Sequence, residues 1–287
     1  LIIAVVIFAV CLLLGHLLTA QLIAPIDDMA EHLDEPAREP VYQELEPFAR
    51  KIRSQHEKIL SAAQSRQDFT ANVSHELKTP LTAISGYAEL MKNGLVPPED
   101  TRHFAEKIYS EAQRMIDLVE DTLRLSRLDE GTGYQWSNAN LLEIAQEVAV
   151  SLESCAADKQ VKLTVEGVPV QLRGVPELLR GIAYNLCDNA IKYNKPGGSV
   201  TVSVNRENDK AVLTVKDTGI GIPEGEQDRI FERFYRVDKS HSKEVGGTGL
   251  GLSIVKHAAM LHKASIDVSG RPGTGTTITI RFPLESF

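Results

Sequence analysis

Four short stretches of this chain carry residue types that could do chemistry on a phosphate. The first runs Ser74-His75-Glu76-Leu77-Lys78-Thr79-Pro80. His75 lies beside an apolar helical stripe rather than in it, so its imidazole is expected to face solvent. A neutral imidazole carries the nitrogen lone pair that can attack phosphorus. Glu76 could hold or deprotonate the ring. Neighbouring helix residues do not face each other, so that pairing needs a bent side-chain path. Thr79, one turn on, shares the His75 face, and Pro80 is expected to strain the helix locally. An exposed helical histidine is more often plain surface, so the case for chemistry rests on the other three stretches.

Asn185-Leu-Cys-Asp-Asn189-Ala-Ile-Lys192-Tyr193 places two carboxamides one helical turn apart on one face. Their oxygens can hold a hydrated Mg²⁺ together with phosphate oxygens, and Lys192 could reach a phosphate. Asp217-Thr-Gly219-Ile-Gly221-Ile-Pro223 follows directly on a strand pattern. A strand-end Asp can accept a hydrogen bond from an exocyclic amine, and the glycines let a flat base approach the backbone. Gly246-Gly247-Thr248-Gly249-Leu250-Gly251-Leu252 opens a helix pattern, where backbone N–H groups can face phosphate. Each stretch alone is weak, since a glycine-rich turn is more often merely a turn. Their order and spacing together are specific.

The elements that must position these groups are legible in outline. Leu45, Phe48, Ile52, Ile59, Ala62, Phe69 and Val73 share a heptad seam. Leu77, Leu81, Ile84, Ala88 and Met91 continue it displaced by four residues, a stutter falling across Ser74 to Glu76. Asn93, Gly94, Pro97 and Pro98 break this helix, and a second periodic stretch runs from Phe104 to Leu125. Two helices joined by a short loop form an antiparallel hairpin. A hairpin cannot enclose a core alone, so pairing into a dimeric four-helix bundle, a homodimer, is expected. After a linker at 131–136 the pattern becomes mixed. Helices are expected at 141–154, 176–193 and 250–261, and strands at 161–165, 200–204, 211–216, 265–269 and 276–282. That order implies a two-layer α/β sandwich of ~150 residues.

At 287 residues the chain is long enough for about two domains, and its 43% hydrophobic and 24% charged content is that of folded protein. With 31 basic and 39 acidic residues the net charge is −8, which argues against nucleic acid as the main partner. Cys11, Cys155 and Cys187 are far apart and give neither a disulfide framework nor zinc spacing. The chain opens on Leu1 rather than Met, and a fragment of a longer protein is expected. Residues 1–20 are nearly all apolar and are expected to form a transmembrane helix. Lys51, Arg53, Lys58 and Arg66 follow, which by the positive-inside tendency puts everything downstream in the cytoplasm.

In this order the stretches resemble the sensor histidine kinases of bacterial two-component systems. His75-Glu-Leu-Lys-Thr-Pro-Leu is similar to their phospho-acceptor box, Asn185 to Tyr193 to the N box, and Asp217 to Gly221 to the first glycine box. Phe231-Glu-Arg-Phe-Tyr-Arg236 resembles the F box, Gly247 to Gly251 the second glycine box, and Gly273-Thr-Gly275-Thr276-Thr the last. The resemblance spans about Gln64 to Pro283. Pro25 and the Asp-, Glu- and Pro-rich stretch after it mark a membrane-proximal connector and signalling helix expected over 21–63. The resemblance implies a dimerisation and phosphotransfer hairpin over 64–133 and a Bergerat-type ATP-binding domain over 138–287. It makes His75 the phosphorylated residue, Glu76 its acid/base partner, and Thr79 a helper in hydrolysing the partner's phospho-aspartate. Asn189 would hold Mg²⁺ with Asn185 close by; Lys192, Tyr193 and Arg236 would contact phosphates; Asp217, with Thr276 near it, would meet the adenine. Gly219, Gly221, Gly247, Thr248, Gly249, Leu250 and Gly251 would shape the nucleotide site, and 237–245 would be a mobile lid. ATP, Mg²⁺ and a response regulator receiver domain are the implied ligands and partner. The rival readings are a chaperone-like or mismatch-repair-like ATPase, and an idle membrane scaffold.

Overall fold

The computed structural model describes residues 2–19, 46–131, 133–237 and 247–284. Most of the expected connector, and the expected lid beyond Val237, lie outside these residues. The chain divides into two compact units, Leu1–Ala71 and Asn72–Phe287.

In the first unit α1 covers Ile2–Leu18, 17 residues with every side chain exposed. At ~1.5 Å per residue it is shorter than a hydrocarbon core of ~30 Å. Among the described residues no helix is long and apolar enough to cross a membrane. The second helix, α2 (Glu46–Lys92), begins in this unit and runs on without a break through Pro80. Proline removes the N–H that would meet the Glu76 carbonyl. The hydroxyls of Thr79 and Thr82 donate to the carbonyls of His75 and Lys78 at 3.3 and 2.8 Å, tying the chain down on either side.

The second unit holds the rest of α2, then α3 (Thr101–Glu130). Two contacts fix the antiparallel hairpin. The rings of Tyr87 and Phe104 meet edge to face at 5.6 Å near the turn, and farther along Glu76 pairs with Arg114 at 3.5 Å. The α3 helix stops where Gly131 takes φ 64 and returns its N–H to Arg127, the left-handed cap that glycine adopts without strain. Leu81, Ile116, Val119 and Leu123 stay exposed on the hairpin, which does not enclose its own core.

Beyond it come β1 (Ser137–Asn140), α4 (Leu141–Asp158), β2 (Lys162–Gly167), β3 (Gln171–Gly174) and α5 (Pro176–Lys192). They are followed by β4 (Ser199–Glu207), β5 (Lys210–Asp217), α6 (Gly251–Leu261), β6 (Ser265–Arg271) and β7 (Gly275–Pro283). The main sheet has the order β2-β4-β5-β7-β6, with only β2 and β4 parallel. Its strands bury alternate residues, as Val200, Val202 and Val204 on β4 and Ile278, Ile280 and Phe282 on β7 show. That period of two leaves one sheet face to solvent and puts α4, α5 and α6 on the other. All five strands expected from alternation form. The ribbon of β1 with β3 was not expected, because Ser-Asn-Ala-Asn carries no alternation signal and its partner is four residues long.

His262 fastens this layer. Its buried ring accepts the Val175 N–H on Nε2 at 3.0 Å and donates from Nδ1 to Ala258 O at 2.7 Å. Trp136 and Phe282 flank it, with ring centroids 5.1 and 5.9 Å away. Burial lowers its pKa, outweighing the bond to Ala258, so the folded domain keeps it neutral. Below about pH 6.5 the unfolded chain takes up a proton that the folded domain resists. The stability held above that pH should therefore fall as the pH drops toward the lowered folded value. His262→Leu should flatten this pH dependence and cost about 1–3 kcal/mol at pH 7.5, because the buried Val175 N–H loses its acceptor. Thermal unfolding of both proteins across pH 5–8 checks it. Burial also pushes the Cys187 thiol up to about 12, so this cysteine is packing rather than a nucleophile.

Candidate active site

The α5 helix turns Leu179, Ile182, Leu186 and Ile191 into the core and leaves Asn185, Asp188, Asn189 and Lys192 at the rim of a cavity of about 920 Å³. Asn185 donates from Nδ2 to Gly181 O at 2.8 Å, which turns its Oδ1 toward the start of α6. A Cβ on Gly251 would stand 2.7 Å from that oxygen, so a larger residue there would push the Asn185 carboxamide aside. The Asn189 carboxamide lines the cavity and bonds to no other described side chain. Lys192 pairs with Asp188 at 2.7 Å. Burial presses its ammonium pKa down, but the Asp188 bond and charge outweigh this, and the net shift is upward.

Asp217 ends β5 and faces the cavity between two strands. Its Oδ1 accepts the N–H of Gly219 at 2.7 Å and of Thr276 at 3.1 Å. Burial raises its pKa despite these donors, which leaves a fixed acceptor aimed into the cavity. The glycines around it are steric requirements. A Cβ would meet Tyr193 O at 2.3 Å from Gly219, Arg271 O at 2.0 Å from Gly221, and Asp217 O at 2.0 Å from Gly275. Val215, Ile222, Ile230 and Ile278 supply an apolar wall nearby. A flat base whose amine meets Asp217 fits this end.

The other end is the Gly-rich turn. Thr248 Oγ1 accepts the Leu250 N–H at 3.2 Å, and Gly249 takes φ 74 and accepts the Phe234 N–H at 3.0 Å. Arg236 donates to Gly247 O at 3.2 Å, and Tyr235, under the Arg229 guanidinium, bonds Glu226. The structure thus gathers Asn185, Asn189, Lys192, Tyr193, Asp217, Gly221, Arg236, Gly247, Thr248, Gly249, Gly251 and Thr276 around one cavity. Gly219 and Leu250 do not line it. Gly219 serves Asp217 through its N–H, and Leu250 is fully buried as the residue preceding α6.

His75 stands on α2 with its side chain 78% exposed and Nδ1 3.6 Å from Glu76 Oε1, so the bent path between neighbours exists. Glu76 Oε2 lies 3.5 Å from Arg114, and Arg114 itself lines the cavity. Arg114, Asp117, Asp121 and Arg124 of α3 form a cavity wall that sequence reasoning did not find. Their only signal is a charged stretch on an amphipathic helix, which reads as solvated surface.

The residues fit a Mg²⁺ carried by a triphosphate. Asn189 offers one neutral oxygen, Asn185 lies close by, and phosphate and water would complete the shell. Among the described residues no cluster of three or more His, Cys, Asp or Glu could hold a metal alone.

Residues 174–286 match the family described as histidine kinase-, DNA gyrase B- and HSP90-like ATPase, and residues 65–131 the His Kinase A (phospho-acceptor) domain. The sensor-like histidine kinase SenX3 of Mycolicibacterium smegmatis is 40% identical over 222 residues, covering 76% of this chain and 58% of that protein. The phosphate regulon sensor protein PhoR of Pseudomonas aeruginosa is 39% identical over 224 residues, covering 76% and 50%. The chain therefore spans about half the length of these relatives. The solved Acinetobacter baumannii histidine kinase AdeS shares the fold, with a TM-score of 0.62 at 21% identity over 74% of this chain and 98% of that one. Full-length ShkA in complex with AMPPNP has a TM-score of 0.57 at 25% identity over 77% and 47%. With a phospho-acceptor hairpin and an ATPase layer matched in this order, the chain belongs to the sensor histidine kinases of bacterial two-component systems.

Proposed function

We propose that ATP bound in the cavity phosphorylates His75, and that the phosphoryl group then passes to an Asp of a separate response regulator receiver domain. The observation that carries this reading is the chain of contacts from His75 through Glu76 to Arg114, which ends on the nucleotide cavity. A ring nitrogen of His75 attacks the γ-phosphorus as the bond to the β,γ-bridging oxygen breaks, and ADP leaves. Glu76 takes up the displaced ring proton, and Arg114 keeps that carboxylate beside the ring. Mg²⁺, bound through Asn189, would neutralise developing charge on the phosphates. Asp217 and Thr276 hold the adenine end, and Lys192, Tyr193 and Arg236 the phosphates. Incubation with γ-labelled Mg-ATP should give an acid-labile, alkali-stable phosphoprotein. A bare ATPase of the same nucleotide fold would release phosphate and form none, and the match of 65–131 to a phospho-acceptor family speaks against it.

The exposed apolar face of the hairpin supports a homodimer with a four-helix bundle as the phosphotransfer domain over 64–133, ahead of the catalytic domain over 138–287. The uncharged, fully exposed α1 supports a membrane anchor, with the catalytic part in the cytoplasm.

Phosphatase activity toward the regulator is part of the reading, with Thr79 positioning the attacking water. The Thr79 hydroxyl donates to His75 O at 3.3 Å, leaving its lone pairs to accept from that water. Thr79→Ala should keep autophosphorylation within about twofold and lower dephosphorylation of the phosphorylated regulator by about tenfold or more. Both rates are measured with one regulator preparation. Equal losses would assign Thr79 to the helix around Pro80 instead.

A further inference from the structure

Between the catalytic layer and the hairpin lies a contact that the reaction does not need. Asp121 of α3 accepts the Thr248 hydroxyl on Oδ2 at 2.7 Å, across 127 residues of sequence. Thr248 sits in the Gly-rich turn, the part of the cavity suited to phosphate. Two turns along the same helix Asp129 takes Arg233 Nη2 on both oxygens, at 2.8 and 2.9 Å, and lies 3.5 Å from His257 Nε2. Between the two acids Leu125 and Leu128 are buried, so α3 is seated along one continuous stripe.

We propose that Asp121 is an internal competitor for the nucleotide's phosphate: with α3 seated, its carboxylate occupies the Thr248 donor, and the seated arrangement is a low-affinity state for ATP. The proposal rests on the reading of the cavity as an ATP site. A carboxylate and a phosphate oxygen are both anionic acceptors, and one hydroxyl hydrogen serves only one of them. Asp117 and Glu120 line the same wall, where Arg114 and Arg124 offset their charge, so the competition rests on the Thr248 bond. Burial raises the pKa of Asp121 although the Thr248 bond opposes it. This carboxylate is thus held in the wall at a desolvation cost, and the cost is relieved when α3 lifts away. The seated state then binds nucleotide more weakly than one with α3 lifted, without excluding it. A signal that shifts α3 would control loading by controlling that equilibrium.

The test is calorimetric titration of the full chain with Mg-ATP and, separately, with adenosine, which has the base but no phosphate. Asp121→Ala should tighten Mg-ATP binding about tenfold, the worth of one charge-assisted hydrogen bond, and leave adenosine unchanged. Asp121→Asn, which keeps an acceptor but removes the charge, should gain less. Asp129→Ala lies outside the cavity wall and should tighten Mg-ATP by loosening the seat; it keeps the test open if the Asp121 variants misfold. Unchanged or weaker Mg-ATP binding in both Ala variants overturns the proposal. An equal gain for adenosine also overturns it, since that would mean a general opening of the cavity. If the unaltered chain binds no Mg-ATP while the Asp121→Ala or Asp129→Ala variant does, the competition stands. If nothing binds anywhere, the ATP reading falls and takes the proposal with it.

Discussion

His75→Gln should abolish the acid-labile phosphoprotein while leaving Mg-ATP binding within about twofold of the unaltered chain. Glutamine is close to histidine in length and polarity but has no nucleophilic nitrogen, because its amide lone pair is delocalised. The side chain at 75 is exposed and holds up no core, so the variant removes chemistry and not structure. It does not line the nucleotide cavity, which is why binding should survive. The check is label incorporation from γ-labelled ATP, read after acid and after alkali, beside a binding isotherm. Label surviving in the variant, or a phosphate stable to acid, would place the acceptor on another residue and sink the assignment of His75.

Asn189→Asp should lower autophosphorylation by about a hundredfold or more with the fold retained. The substitution keeps size and one oxygen. It replaces the amide NH₂, a donor that could hold a phosphate oxygen, with a second anionic oxygen facing the triphosphate. Asp188 is the preceding residue, so the added charge also enters a wall that already carries a carboxylate paired to Lys192. The helix itself should tolerate the change, since Asn189 is at the rim while Leu186, Ala190 and Ile191 make the buried contacts. Circular dichroism and thermal unfolding check the fold, and labelling checks the activity. A variant with ordinary activity would remove Asn189 from the site.

What the sequence determined unaided is what depends on near neighbours. The turn-spaced Asn185 and Asn189 and the strand-end Asp217 are set by local geometry, and the structure places them around one cavity, whereas the atoms that a Cβ on the nearby glycines would strike belong to distant segments. The five strands are legible because a sheet with one dry face imposes a period of two on the chain. The helix through Pro80 is legible as continuous with local strain, because the seam runs on to Met91, and the Thr79 and Thr82 hydroxyls bond back on either side of it. Only the tertiary structure decided the parallel pairing of β2 with β4, the β1–β3 ribbon, the clamp at His262 and the α3 wall of the cavity. Each joins segments far apart in sequence, and none leaves a periodic trace. Asp121 reads as one more charge on a solvated helix face. Its meaning comes from Thr248, which the chain brings to 2.7 Å only once both the hairpin and the sheet layer have formed. Hydrogen bonds and ion pairs of that kind follow from how buried surfaces fit, and pattern along the chain does not encode the fit.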